Sequence, residues 1–179
     1  MKKVTSVDGI KDPYTKRILS NILQKDPLRI YAETPSRLMR LVGGLSDKQM
    51  RAPRKGGNWS VAQIVAHLCD AELVMGYRIR KVIAESKPRL ESYDQDRWAK
   101  NLHYLDTDVR TNLRLLRALR DSHLSLLAAL KPRELRRYGI HSERGKETVE
   151  RMVQMLAGHD VNHIRQVASI RSSLKRANR

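Results

Sequence analysis

MVQMLAGHDVNHIRQVASI, residues 152–170, is the stretch on which the fold turns. Its apolar seam runs Met152, Leu156, His159, His163, Val167 and Ile170, at spacings of 4, 3, 4, 4 and 3. That period marks one face of an α-helix turned toward a core. Two histidines occupy positions where the pattern calls for core residues. Being four apart, they place two imidazoles on one face, a turn from each other. A second run, Ile64, Leu68, Ala71, Met75, Ile79 and Val82, has the same period, with His67 at its edge. Three imidazoles are therefore predicted to point inward, or nearly so, from two helices.

The rest of the chain supplies helical partners. Asp26-Pro27 and Thr34-Pro35 each read as an N-cap followed by Pro at the first helical position. Thr34-Pro35 reads alternatively as a kink in one longer helix. Gly43-Gly44 is the stop, so the first helical region covers roughly 14–43. Ser46 to Gln49 and Ser60 to Gln63 are capping boxes, and the second opens a helix predicted over 60–86. Residues 88–105 read as a polar, aromatic connection. A third helix is predicted from about 107, capped by Asp106 or Thr107, to Leu130. Residues 132–146 read as irregular, and Thr148 caps a fourth helix reaching about Leu174, ahead of a frayed basic tail. Strand signals are nearly absent: there is no Phe and no period-two run of Val and Ile. The predicted fold is all-α, an antiparallel four-helix bundle. Residues 1–26 form a partly helical N-terminal extension and 27–175 the bundle domain.

A chain of 179 residues, 40% hydrophobic, suits one compact domain. No apolar run approaches the roughly 20 residues that cross a bilayer, and the basic N-terminus lacks a signal-peptide apolar region. The single cysteine, Cys69, excludes an intrachain disulfide and a multi-thiolate zinc site, and suits a reducing cytoplasm. Net charge is +17, from 36 Lys and Arg against 19 Asp and Glu. Such a balance attracts nucleic acid, anionic lipid or anionic small molecules. The basic residues are spread along the whole chain, and no zinc-finger spacing, RNP-like strand or Gly-rich phosphate loop accompanies them. A basic, non-enzymatic nucleic-acid binder is accordingly the reading held third.

A buried imidazole needs partners for both nitrogens. Hydrogen bonds alone satisfy many lone inward histidines. A pair in a seam with a third on a neighbouring helix points instead to three nitrogens around one metal ion, with a coordination position left open. Imidazole nitrogens suit several divalent metals, zinc and nickel first among them. Asp70, Asp160, Asn162 and Gln166 are close enough in sequence to accept from the outer ring nitrogens. His103 and His141 read as surface or loop residues, and His123 as a hydrogen-bonded histidine. Cys69, two residues from His67, faces away from it and reads as a small packed residue.

The chain resembles the DinB/YfiT-like superfamily. The resemblance rests on Gly57 to Glu72 (GNWSVAQIVAHLCDAE), Tyr93 to Ala99 (YDQDRWA), His141 to Gly145 (HSERG) and Leu156 to Gln166 (LAGHDVNHIRQ). It covers roughly 27–175. It implies a four-helix bundle, a divalent metal held by His67, His159 and His163, and a homodimer. It implies further that the protein is an enzyme, since members include low-molecular-weight-thiol S-transferases, thiol-dependent isomerases and proteins labelled metal-dependent hydrolases.

Two enzymatic readings follow. In the first, a metal at the histidines activates a low-molecular-weight thiol, which attacks an electrophile. The protein then needs no nucleophile of its own. In the second, metal-activated hydroxide hydrolyses an ester or amide, with Asp70, Glu72, Asp94 or Asp160 shuttling the proton.

Overall fold

Every long helix starts where a short polar side chain takes up the first free amides. The structure is a computed structural model that describes residues 1–177. Asp12 accepts from the Thr15 amide and opens α1 (Pro13–Ser20). Asp26 accepts from the Leu28 and Arg29 amides and opens α2 (Pro27–Val42). The box of Ser46 and Gln49 opens α3 (Asp47–Arg51), and that of Ser60 and Gln63 opens α4 (Val61–Ala84). Asp94 caps α5 (Gln95–Asn101). Asp108 caps α6 (Val109–Ala129); the sequence expectation of Asp106 or Thr107 falls short because 104–106 close into a 3-10 turn. After α7 (Pro132–Leu135), the Thr148 hydroxyl accepts from the Arg151 amide at the start of α8 (Val149–Ala177). The helix continues past Leu174 to Ala177, and the last two residues of the expected frayed tail lie outside the described ones.

Thr34-Pro35 is not a helix start. The α2 helix runs through it: the Thr34 hydroxyl donates to the Ile30 carbonyl, and the Tyr31 carbonyl, which Pro35 has no N–H to reach, accepts from the Arg120 side chain. A second departure is a small sheet of β1 (Arg89–Leu90), β2 (Tyr138–His141) and β3 (Gly145–Thr148). β1 pairs parallel with β2, and β2 antiparallel with β3. These strands are too short to show a period. Leu90 packs so closely on Gly139 that a Cβ there would lie 2.8 Å from its Cδ1.

α2, α4, α6 and α8 form the bundle. α2 packs on α8 and α6, while α4 packs on α6 and α8. One apolar core joins Leu38, Leu68, Leu116 and Val167; the other joins Tyr31, Ile79, Leu127 and Met152. The order of these residues along each helix sets its direction. α2 and α8 run one way, α4 and α6 the other, so the bundle is two pairs set antiparallel. Only residues 85–108 must travel the length of the bundle, and they carry β1 and α5 across the face where the histidines lie. α1 lies against α8, its Ile18 and Leu19 buried, with Ile22 just beyond it, against Met155 and Ala157. Gly158 allows this approach, since a Cβ there would stand 2.3 Å from the Ile18 carbonyl oxygen.

Candidate metal centre

The helix seams bring the three histidines together. His67 Nε2 lies 2.9 Å from His159 Nε2, which lies 3.1 Å from His163 Nε2. His67 and His163 are buried, and His159 is partly exposed. Although at the seam's edge in sequence, His67 is fully turned in, its ring held 4.8 Å edge-on from Trp59. Burial drives the His67 ring down to about 3 and that of His163 to about 4, and neighbouring positive charge adds to it. Burial lowers His159 well below the ordinary range as well. At neutral pH all three rings are therefore uncharged and able to donate lone pairs.

The donor set suits a divalent ion. Zinc–nitrogen bonds of about 2.0–2.1 Å require nitrogens spaced a little over 3 Å apart on one side of the ion. The Nδ1 of His163 donates to Gln166 Oε1 at 2.8 Å, which leaves the Nε2 lone pair facing its neighbours. Among the described residues the buried Nδ1 atoms of His67 and His159 have no partner. Of the other acceptors considered, Asp70 accepts from the Tyr104 hydroxyl at 2.6 Å, Asp160 accepts from Arg120, and Asn162 lines the cavity beside the triad.

Two cavities open at the triad. One, of about 410 Å³, is walled by His159, His163, Arg17, Arg54, Asn162 and Gln166. The other, of about 300 Å³, is walled by His67, His159, Met75, Arg78, Tyr93 and His141. Tyr14, Gln95 and His159 line both. His141 is not the loop residue the sequence suggests. It ends β2, buried, with Nδ1 accepting from the Glu143 and Arg144 amides, because strand pairing carries it under the hairpin. His103 is exposed, and Cys69 is packed in the core with its thiol pushed up to about 12 by burial.

A model of the DinB superfamily matches residues 30–167. The chain belongs to the DinB superfamily. Its relatives include two proteins named "Putative metal-dependent hydrolase". That from Oceanobacillus iheyensis is 26% identical over 152 residues, 85% of this chain and 88% of the relative. That from Geobacillus thermodenitrificans is 29% identical over 149 residues, 82% and 83% of the two chains. YfiT from Bacillus subtilis, described as a probable metal-dependent hydrolase with an unusual four-helix bundle topology, superposes with a TM-score of 0.78 at 24% identity. That match covers 83% of this chain and 86% of YfiT, and concerns the fold.

Beneath the triad this DinB member carries a buried ionic network that the sequence reading did not single out. Arg120 bonds Glu72 and Asp160, each at 2.8 Å, and donates to the Tyr31 carbonyl. The His123 ring meets Glu72 at 2.6 Å, and the Tyr31 hydroxyl donates to the same carboxylate. Gly76 makes room, since a Cβ there would lie 2.1 Å from the His123 ring. Hydrogen bonds from Arg120, His123 and Tyr31 hold the Glu72 carboxyl below its usual range against the pull of burial. The signal was present in the sequence: Leu113, Leu116, Arg120, His123 and Leu127, spaced 3, 4, 3 and 4, put two polar residues into a core seam.

Proposed function

We propose that His67, His159 and His163 hold a divalent metal, zinc or nickel, and that the protein is a metal-dependent enzyme of thiol S-transfer. The observation that carries this reading is the triangle of three uncharged Nε2 atoms at the junction of two cavities. When bound, the ion supplies a Lewis acid with an open position, which lowers the pKa of a sulfhydryl placed there.

The chain's own residues orient and enclose. Gln166 fixes the tautomer of His163, and Trp59 fixes the ring of His67. The cavity on the His67 side has an apolar floor of Ala71, Met75, Met155 and Leu156, which suits the uncharged body of an electrophile. A thiol brings its own nucleophile, and the protein offers none, since Cys69 is buried and protonated. The proton-shuttle carboxylates that hydrolysis would call on are engaged elsewhere. Asp70 is taken by Tyr104, Glu72 and Asp160 by Arg120, and Asp94 by the start of α5.

Hydrolysis is the second reading. The names of the relatives favour it, and Glu143 on the rim of the His67-side cavity is a carboxylate in reach of that space. One experiment separates the two. The zinc- or nickel-loaded protein is given a chromogenic aryl halide with a panel of cellular thiols, and separately a nitrophenyl ester without thiol. Metal-dependent turnover that requires thiol is expected. Ester turnover without thiol transfers the assignment to hydrolysis, and absence of stoichiometric metal in the loaded wild type refutes both.

A further inference from the structure

The cavity on the His163 side differs from its neighbour in charge. Among the described residues its walls include Arg17 and Arg54 and no acidic side chain. Among the described residues neither arginine takes part in an ion pair. The His67-side cavity is different: Arg144 is held by Glu147 at 2.7 Å, and Glu143 stands on the rim beside Arg78. Two arginines lining one cavity of about 410 Å³ give it the charge and size that suit a small anion.

Arg17 comes from α1, outside the residues that the family model matches. Its place is nonetheless built. Ile18 and Leu19 are buried against α8, and Asn21 donates to the Gly158 carbonyl and accepts from Arg165 at 2.7 Å. Tyr14, one turn before Arg17 on the same face, lines both cavities, and its ring lies 5.4 Å from the Arg17 guanidinium.

We propose that Arg17 and Arg54 receive an anionic group of the substrate, a carboxylate or a phosphate, beside His159 and His163, and that α1 thereby sets substrate specificity. This deepens the functional reading above and rests on it for the word substrate. The two arginines deliver a bidentate, charge-assisted grip at one end of the ligand. The reacting atom then lies at the triad, and the uncharged remainder in the apolar cavity beyond Tyr14.

The test measures binding by calorimetry to the full chain, both metal-free and zinc-loaded. Glutarate and glycerol phosphate are the carboxylate and phosphate probes, and glutaramide is the neutral control. The variants are Arg17→Gln, Arg54→Gln and both together. Arg117→Gln, an exposed change of equal charge paired with Asp121, controls for the general field. Wild type is expected to bind one anion or both in preference to the diamide, and their ratio identifies the group. Each single variant should weaken binding about tenfold or more, and Arg117→Gln should not. Equal losses in Arg117→Gln, no loss in the double variant, or no preference for anion over diamide overturns the proposal. The metal-free arm reads the subsite without the metal. Selective binding there, with no turnover by the loaded enzyme, would leave the subsite standing and remove the catalytic reading.

Discussion

Gln166 offers the sharpest test of the histidine triad, because its one visible bond acts on a single ring. The Nδ1 of His163 donates to Gln166 Oε1 at 2.8 Å, while the Nδ1 atoms of His67 and His159 have no partner among the described residues. Gln166→Leu removes the acceptor without opening a cavity, since the side chain is exposed. Losing such an outer partner costs about 10–100-fold in metal affinity, or about 1.4–2.7 kcal/mol. Water reaches an exposed site and replaces part of the bond, so the lower end, about tenfold, is expected. Gln166→Glu should move the other way, because a charged acceptor strengthens the bond roughly twofold and makes the ring more basic. The assay is zinc competition against a chromophoric chelator at pH 7.5, where all three rings are neutral, with thermal melts to show that the fold is unchanged. The expected order of affinity is Glu, Gln, Leu. If the Leu variant binds within about twofold of wild type, or the Glu variant no tighter than the Leu variant, the reasoning fails.

Arg120→Met should destabilise the protein by about 3–5 kcal/mol, because the buried Glu72 and Asp160 carboxyls would lose the guanidinium that pairs with both. Urea midpoints read this directly, and a loss under about 1 kcal/mol would contradict it. The metal-free protein should lose stability as pH falls. His67 and His163 titrate at about 3 and about 4 when folded but near 6.5 when unfolded, so the unfolded chain gains protons first. Stability is full above about 6.5 and declines by up to about 1.4 kcal/mol per pH unit for each ring. Burial lifts Asp160 to about 6 and works in the opposite sense, but the three histidines outweigh it. Urea midpoints at pH 7.5 and pH 5 should differ, and zinc should abolish most of the difference. Gly158→Ala should lift α1 off α8, costing about 1–3 kcal/mol, because the new Cβ meets backbone rather than a side chain that can turn aside. A crystal structure of that variant with α1 undisturbed would show the contact to be softer than argued.

The helices were legible because their boundaries are local chemistry. Asp26, Ser46, Ser60 and Thr148 act on amides two or three residues away, and those distances are visible in the sequence. The triad was legible for a related reason, since helical period alone turns His159 and His163 to one side. What escaped depends on tertiary contact. β2 and β3 are strands only because Leu90, Gly139 and their partners meet, and that pairing buries His141. Arg17 borders the triad only because Gly158 lets α1 approach. Arg120 is a different case: it sat in a readable seam and was passed over among leucines, whereas His123, read from the same seam as a hydrogen-bonded histidine, meets Glu72.

The layer of Arg120, Glu72 and Asp160 crosses the bundle between its two apolar cores. Oily surfaces tolerate sliding, because one leucine contact resembles the next. Charge does not. A slip of one turn moves a side chain by about 5.4 Å and strands a carboxylate in the dry interior. Asp160 directly follows His159, and Glu72 lies on the helix that carries His67. The layer is thus a vernier scale inside the protein: whatever holds α4 and α8 in register for the ion pairs also holds the imidazole nitrogens at 2.9 and 3.1 Å from one another.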